Sequence, residues 1–226
     1  MPPSKPATRE IPRTVWRVAS TGRGESFSRI SAAAADTPGG NRFDVPGGGT
    51  LYACTDPLGC YYETLSRFRV TIPGRTNSAA KAAALDSDLM LPGHIPRGWR
   101  DTRSKYEILL EDPLPFVDVE DETTRAFLTS EIPETLDRCG APELDISDIR
   151  GRNRGLTRAI ARWVYLQTND QGEFAYSGIR YQSRRDSSEC WAIFDGTPLR
   201  TIRQEPIELD DPDLKRASNL WGLRIH

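Results

Sequence analysis

The chain has 226 residues, 37% of them hydrophobic and 27% charged, with a formal net charge of -2 and a mean hydropathy of -0.55. This length suits one hydrophobic core rather than two small domains, and the composition excludes a disordered or membrane-embedded chain. The acidic balance argues against a protein whose main task is gripping nucleic acid, since that binding is driven by a surplus of cations that neutralise phosphates.

Residues 1–13 are rich in Pro, Lys and Arg without hydrophobic periodicity and are expected to form a flexible tail. They lack the apolar core of a signal peptide, and the longest apolar stretches, at 82–85 and 163–166, are far too short to span a bilayer. A cytoplasmic location without membrane contact is therefore expected. A single domain over 14–226 is expected to open with a strand at 14–19, TVWRVA, and a second strand at 51–54 follows after loops rich in Ser, Gly and Ala. Asp56 and Pro57 mark a helix start, the first as a cap and the second at the position where its missing N–H costs nothing. Leu58, Tyr61, Tyr62 and Leu65 recur at helical spacing and form its buried face, with Glu63 beside them.

RFRVTI at 67–72 predicts a strand, 78–85 a short alanine-rich helix, and 92–98, with two Pro and two Gly, an irregular connection. A further strand is expected at 106–110, then a helix over 120–136 interrupted near Pro133. The clearest helix is 155–167, with Leu156, Ile160, Trp163 and Val164 inward and Arg154, Arg158 and Arg162 along another, solvated face. Residues 177–183 and 190–194 predict two strands joined by a polar turn into a hairpin, and the segment from Leu209 ends in Leu220, Trp221 and Leu223, which suit docking on the body. Without regular βαβ alternation, this succession predicts an α+β fold, a mainly antiparallel sheet with flanking helices.

Two histidines, His94 and His226, leave little material for a histidine base or a multi-histidine metal site. Cys54, Cys60, Cys139 and Cys190 show no C-x-x-C spacing and read as reduced and mostly buried, so no metal is expected. Chemistry then falls to Arg, Glu, Ser and Tyr. The candidates are Arg17 in the first strand, Arg42 and Phe43 in NRFD before a glycine turn, Tyr52 in the second strand, Glu63 on the next helix, and Tyr181 and Ser183 in GIRYQSRR. Taken singly, each has an ordinary reading: a surface arginine, an exposed carboxylate, a core tyrosine, a turn serine.

Their order changes the weighing. VWRV around Arg17, NRFDVPGGGTLYAC with Arg42 and Tyr52, ETL at Glu63 and GIRYQSRRDSSECWAIF with Ser183 together resemble the RES-domain family, named for its invariant Arg, Glu and Ser. The resemblance implies a fold similar to ADP-ribosylating toxins and an activity that splits NAD, with no other cofactor. Many family members look like toxins of toxin-antitoxin pairs that release nicotinamide and pass ADP-ribose to inorganic phosphate or water. It also implies roles: Glu63, Arg17 and Ser183 as catalytic residues, and Arg42, Tyr52, Phe43 and Tyr181 as NAD-binding ones. Phe43 stands where family members commonly carry Trp, which keeps an aromatic wall and removes an indole donor.

These residue types suit the chemistry. Departure of nicotinamide builds positive charge on the ribose, which a carboxylate stabilises, and planar guanidinium groups match a diphosphate. If the protein is such a toxin, an Xre-type antitoxin is its expected partner. Transfer of ADP-ribose to a protein target is the alternative activity. An inactive relative is disfavoured because Arg, Glu and Ser are all present. A nucleic-acid-binding module, motivated by Arg150, Arg152, Arg154, Arg158 and Arg162, ranks lower, since Glu143, Asp145 and Asp148 lie just upstream.

Overall fold

The computed structural model describes residues 3–37, 39–70 and 92–226. A nine-stranded sheet forms the centre, in the order β1 (Thr8–Arg9), β7 (Phe116–Asp118), β8 (Gly178–Gln182), β9 (Glu189–Phe194), β4 (Gly49–Cys54), β2 (Thr14–Ser20), β6 (Arg103–Leu110) and β10 (Leu199–Pro206), with β3 (Ser28–Arg29) attached to β4. β2 (Thr14–Ser20) lies antiparallel to β6 (Arg103–Leu110) along its whole length. β4 (Gly49–Cys54) lies antiparallel to β9 (Glu189–Phe194), which forms the expected hairpin with β8 (Gly178–Gln182). β7 (Phe116–Asp118) joins β8 in parallel, β10 (Leu199–Pro206) closes the far edge on β6, and β3 (Ser28–Arg29) pairs with β4. A separate parallel pair joins β5 (His94–Ile95) to β11 (Arg224–Ile225). The result is the α+β class with a mostly antiparallel sheet.

Pleating explains how one strand feeds two cores. In β4, Leu51 and Ala53 enter the smaller apolar cluster with Val15, Ile108 and Trp191, while Tyr52 and Cys54 face the larger one that the helices cover. That larger layer begins with α1 (Pro57–Leu65), where Asp56 Oδ1 accepts the Gly59 N–H at 2.8 Å and Tyr61, Tyr62 and Leu65 are buried. Among the described residues, α2 (Arg97–Asp101), α3 (Glu122–Glu131), α4 (Pro133–Cys139), α5 (Ile146–Ile149), α6 (Arg154–Tyr165) and α7 (Pro212–Trp221) follow. Pro133 divides α3 from α4 as expected, because it cannot donate into a continuous helix. No helix among the described residues is long and apolar enough to cross a membrane.

Several expectations need correction. The strand predicted over 67–72 begins instead as a 3-10 turn, Ser66–Phe68. Ser66 Oγ donates to the Glu63 carbonyl at 3.0 Å and Arg67 Nε to that of Thr64 at 3.3 Å, so local side-chain bonds wind the end of α1 onward. The rest of that strand beyond Val70, and the helix predicted at 78–85, lie outside the described residues. Thr8–Arg9, within the expected tail, forms β1 on the edge of β7, where Arg9 Nε meets the buried Asp118 carboxylate at 3.0 Å. The segment from Leu209 is largely helical: Asp211 caps α7, Pro212 opens it and Gly222 ends it in a left-handed conformation. Trp221 packs on Tyr62 of α1, ring centroids 5.2 Å apart.

Candidate active site

The sheet is split where the site lies. β2 and β4 are neighbours that meet in register only at Trp16 opposite Cys54. A cleft of about 440 Å³ is lined by Arg17 and Val18 from β2, Tyr52 to Cys54 from β4, Glu63 and Thr64 from α1, and Tyr181 from β8. Asn41, Arg42, Arg67 and Arg154 also line it. Small-molecule sites span roughly 300–1,000 Å³, so the cleft suits an organic ligand.

Each wall is fixed by its own bonds. Arg17 Nη1 donates to the carbonyls of Gly24 at 3.1 Å and Ser26 at 2.9 Å. Arg42, only 8% exposed, donates to the carbonyls of Ile149 and Gln182 and stacks over the Tyr181 ring, 4.7 Å from its centroid. Phe43 is fully buried behind that pair, 5.0 Å from the Tyr181 ring, and supports the wall rather than facing the cleft. Tyr52 Oη donates to Asp44 Oδ1 at 2.9 Å, and the buried Asp44 also accepts the Asn41 N–H at 2.6 Å. Burial, helped by the Asp44 charge, pushes the Tyr52 hydroxyl well above its ordinary pKa, so it stays a neutral donor. Burial also raises Tyr181 well above its ordinary value and lowers Arg17.

Two atoms in the cleft are left without partners. Glu63 Oε1 and Arg154 Nη1 are buried and have no hydrogen-bond partner among the described residues. Among those residues, moreover, none of Arg17, Arg42, Arg67 and Arg154 forms an ion pair with a carboxylate. Buried polar groups are ordinarily satisfied, so a carboxylate oxygen and a guanidinium nitrogen left open in one cleft are candidates for contact with a ligand or with water. The Cys54 thiol is not a candidate for the chemistry. Cys54 Sγ lies 3.6 Å from Cys190 Sγ, and hydrogen bonds within that thiol group together with burial raise Cys54 well above its ordinary value, which keeps it protonated and unreactive. No group of three His, Cys, Asp or Glu among the described residues is placed to hold a metal ion.

Five of the candidate residues, Arg17, Arg42, Tyr52, Glu63 and Tyr181, thus share one cleft, and Phe43 stands directly behind it. Ser183 is elsewhere. At 4% exposure it directly follows β8, its Oγ accepts the Arg185 N–H at 3.0 Å, and it borders a shallow depression with Arg150 and Arg184 to Ser187. The arginine row on α6 also differs from a solvated face. Arg158 is 1% exposed and its guanidinium binds the carbonyls of Ala34, Ala35, Thr37 and Gly39, fixing the loop that leads into Asn41 and Arg42. Arg154 turns into the cleft, and Arg150 pairs with Glu120 at 2.7 Å, so the arginines of this row do not share one solvated face.

The fold and cleft define an α+β protein whose split sheet holds, among the described residues, a carboxylate and several guanidinium groups that form no ion pair. The family model described as "RES domain" matches residues 14–215, and the chain belongs to that family. A search of curated proteins finds no match. Among solved structures, a chain in the crystal structure of the M. tuberculosis MbcT-MbcA toxin-antitoxin complex is similar at 14% identity and a TM-score of 0.50, covering 95% of this chain and 91% of that one. That likeness concerns the fold.

Proposed function

We propose that this protein is an NAD-degrading enzyme that cleaves the bond between nicotinamide and ribose and passes ADP-ribose to inorganic phosphate or water. One observation carries the reading: the open Glu63 Oε1 sits in the same cleft as Arg17, Arg42 and Arg154, none of which forms an ion pair with a carboxylate among the described residues. A carboxylate and several cations in one pocket match a substrate that develops positive charge at a sugar while carrying a diphosphate.

In this reading Glu63 lies against the ribose. As the C–N bond breaks, its electron pair moves to the pyridinium nitrogen and nicotinamide leaves neutral, while the ribose gains oxocarbenium character that Glu63 stabilises. An oxygen of phosphate or water then bonds to the same carbon and its proton passes to solvent. The guanidinium groups hold the diphosphate, and Tyr52 offers a face to the nicotinamide, because Arg42 and Phe43 already cover Tyr181. Ser183 acts by fixing the turn after β8, which sets the Gln182 carbonyl that accepts from Arg42.

The family and the similar fold of a chain from a toxin-antitoxin complex support a toxin role with an antitoxin as partner; an Xre-type helical protein covering the cleft is the partner we propose. The test is NAD consumption by the purified chain with and without phosphate, following nicotinamide and identifying the second product by mass. Phosphate-dependent formation of an ADP-ribose phosphate is the expected result, and ADP-ribose without phosphate dependence marks a hydrolase. If NAD persists in both cases the assignment fails, and ADP-ribose gained by a protein in an extract then marks the transferase alternative.

A further inference from the structure

Three arginines at four-residue spacing, Arg150, Arg154 and Arg158, meet three different fates. Arg150 has the Glu120 carboxylate, and Arg158 has four backbone carbonyls. Arg154, first residue of α6, has neither: Nη1 is buried without a partner among the described residues, and the side chain faces the cleft. Arg42 and Arg154 line the same cleft, and burial with the nearby charges of Arg42 and Arg158 depresses the Arg154 pKa against the opposing charge of Asp44, so like charges stand together in a partly desolvated pocket. An arrangement of this kind is costly when empty and is relieved when an anion bridges the two groups.

We propose that Arg154 and Arg42 form a two-guanidinium subsite for a phosphoryl group of the substrate, in addition to Arg17. The inference rests on the reading of the cleft as the site of a phosphate-bearing substrate and assigns one anchor within it. Arg42 is held in place by its carbonyl bonds and its stack on Tyr181, so it presents a rigid edge. Arg154 supplies the second fork, with its buried Nη1 unused by any group among the described residues. Paired guanidinium groups recognise phosphoryl oxygens by geometry as well as charge.

The test is calorimetric titration of the full chain with inorganic pyrophosphate, ADP-ribose and nicotinamide, for the wild type, Arg154→Ala, Arg154→Lys and the exposed control Arg162→Ala. Arg154→Ala is expected to weaken pyrophosphate and ADP-ribose at least about tenfold, about 1.4 kcal/mol, and to leave nicotinamide unchanged. Arg154→Lys recovers part of the loss and Arg162→Ala loses nothing. If Arg154→Ala does not fold, Arg154→Gln, which keeps an amide donor without the charge, carries the same comparison. Unchanged pyrophosphate affinity in a folded Arg154 variant overturns the subsite and leaves the NAD reading standing. Pyrophosphate binding that depends on Arg154 in a chain that leaves NAD intact upholds the subsite and removes the NAD reading. A wild-type chain that binds neither pyrophosphate nor ADP-ribose overturns both.

Discussion

Replacing Glu63 by Gln keeps the size of the side chain and removes the charge that the ribose needs in the transition state. Loss of one well-placed electrostatic group costs roughly 10²–10³ in rate, so Glu63→Gln is expected to lower NAD turnover about a hundredfold or more while NAD binding and thermal unfolding stay near wild type. An unchanged rate removes Glu63 from the chemistry. Arg158 works at a distance from the reacting atoms. Its truncation to Ala strands the carbonyls of Ala34, Ala35, Thr37 and Gly39, so a loss of about 3 kcal/mol in unfolding free energy is expected, with faster amide exchange in the 34–44 loop. Stability within about 0.5 kcal/mol of wild type contradicts that role. The same residue marks a limit of reading from pattern. An arginine repeating every four residues on a helix suggests a solvated row, and nothing in the spacing discloses that a distant loop will bring its carbonyls to Arg158, or that a split sheet will bring a cleft to Arg154.

At the scale of elements, Gly178 opens β8 where strand and neighbour come unusually close. A Cβ there would overlap the Ala192 carbonyl oxygen and come 2.7 Å from the Phe116 ring. Gly178→Ala is therefore expected to destabilise the fold by about 2–3 kcal/mol, measured by denaturant unfolding, and to disturb Tyr181 through the β8–β9 register. A neutral outcome means that β8 shifts freely at its first residue. Elements with a strong local signal were legible in the sequence: Asp56 and Pro57 start α1, Pro133 divides a helical run, and a polar turn joins β8 to β9. Those that escaped lack such a signal or carry a misleading one. β7 has three residues, and β10 lies at a sheet edge where its alternation is mostly polar. In α7 the signals of Asp211, Pro212 and Gly222 were present but obscured by the run of charge around them. Five of the seven candidate site residues were placed in one cleft because the family pattern carried their order. Ser183 was not, because its hydroxyl serves a turn that only the folded hairpin defines.

For the molecule as a whole, the buried tyrosines set an alkaline limit. Burial raises Tyr52, Tyr61 and Tyr181 above the ordinary value of 10.0, so the folded chain holds these protons more tightly than the unfolded one. Their contribution to stability is complete below the unfolded value and is lost as pH rises from it toward the folded values. The unfolding free energy is expected to be flat in this respect up to about pH 9 and to fall above about pH 10, with phenolate absorbance appearing together with loss of the fold. Early ionisation of these rings in a still-folded chain contradicts this. The sheet order has one more consequence, for the moment at which the protein begins to act. Arg17, Arg42, Tyr52 and Glu63 are all translated early, yet the long-register neighbour of β4 is β9, which pairs Thr50 with Phe194. Arg154 and Tyr181 come from the same late stretch of chain. Pairing over such sequence separations is slow and waits for the distant partner to be made. The cleft therefore stays incomplete until the hairpin of β8 and β9 has been made and has closed, and the proposed drain on NAD starts only then.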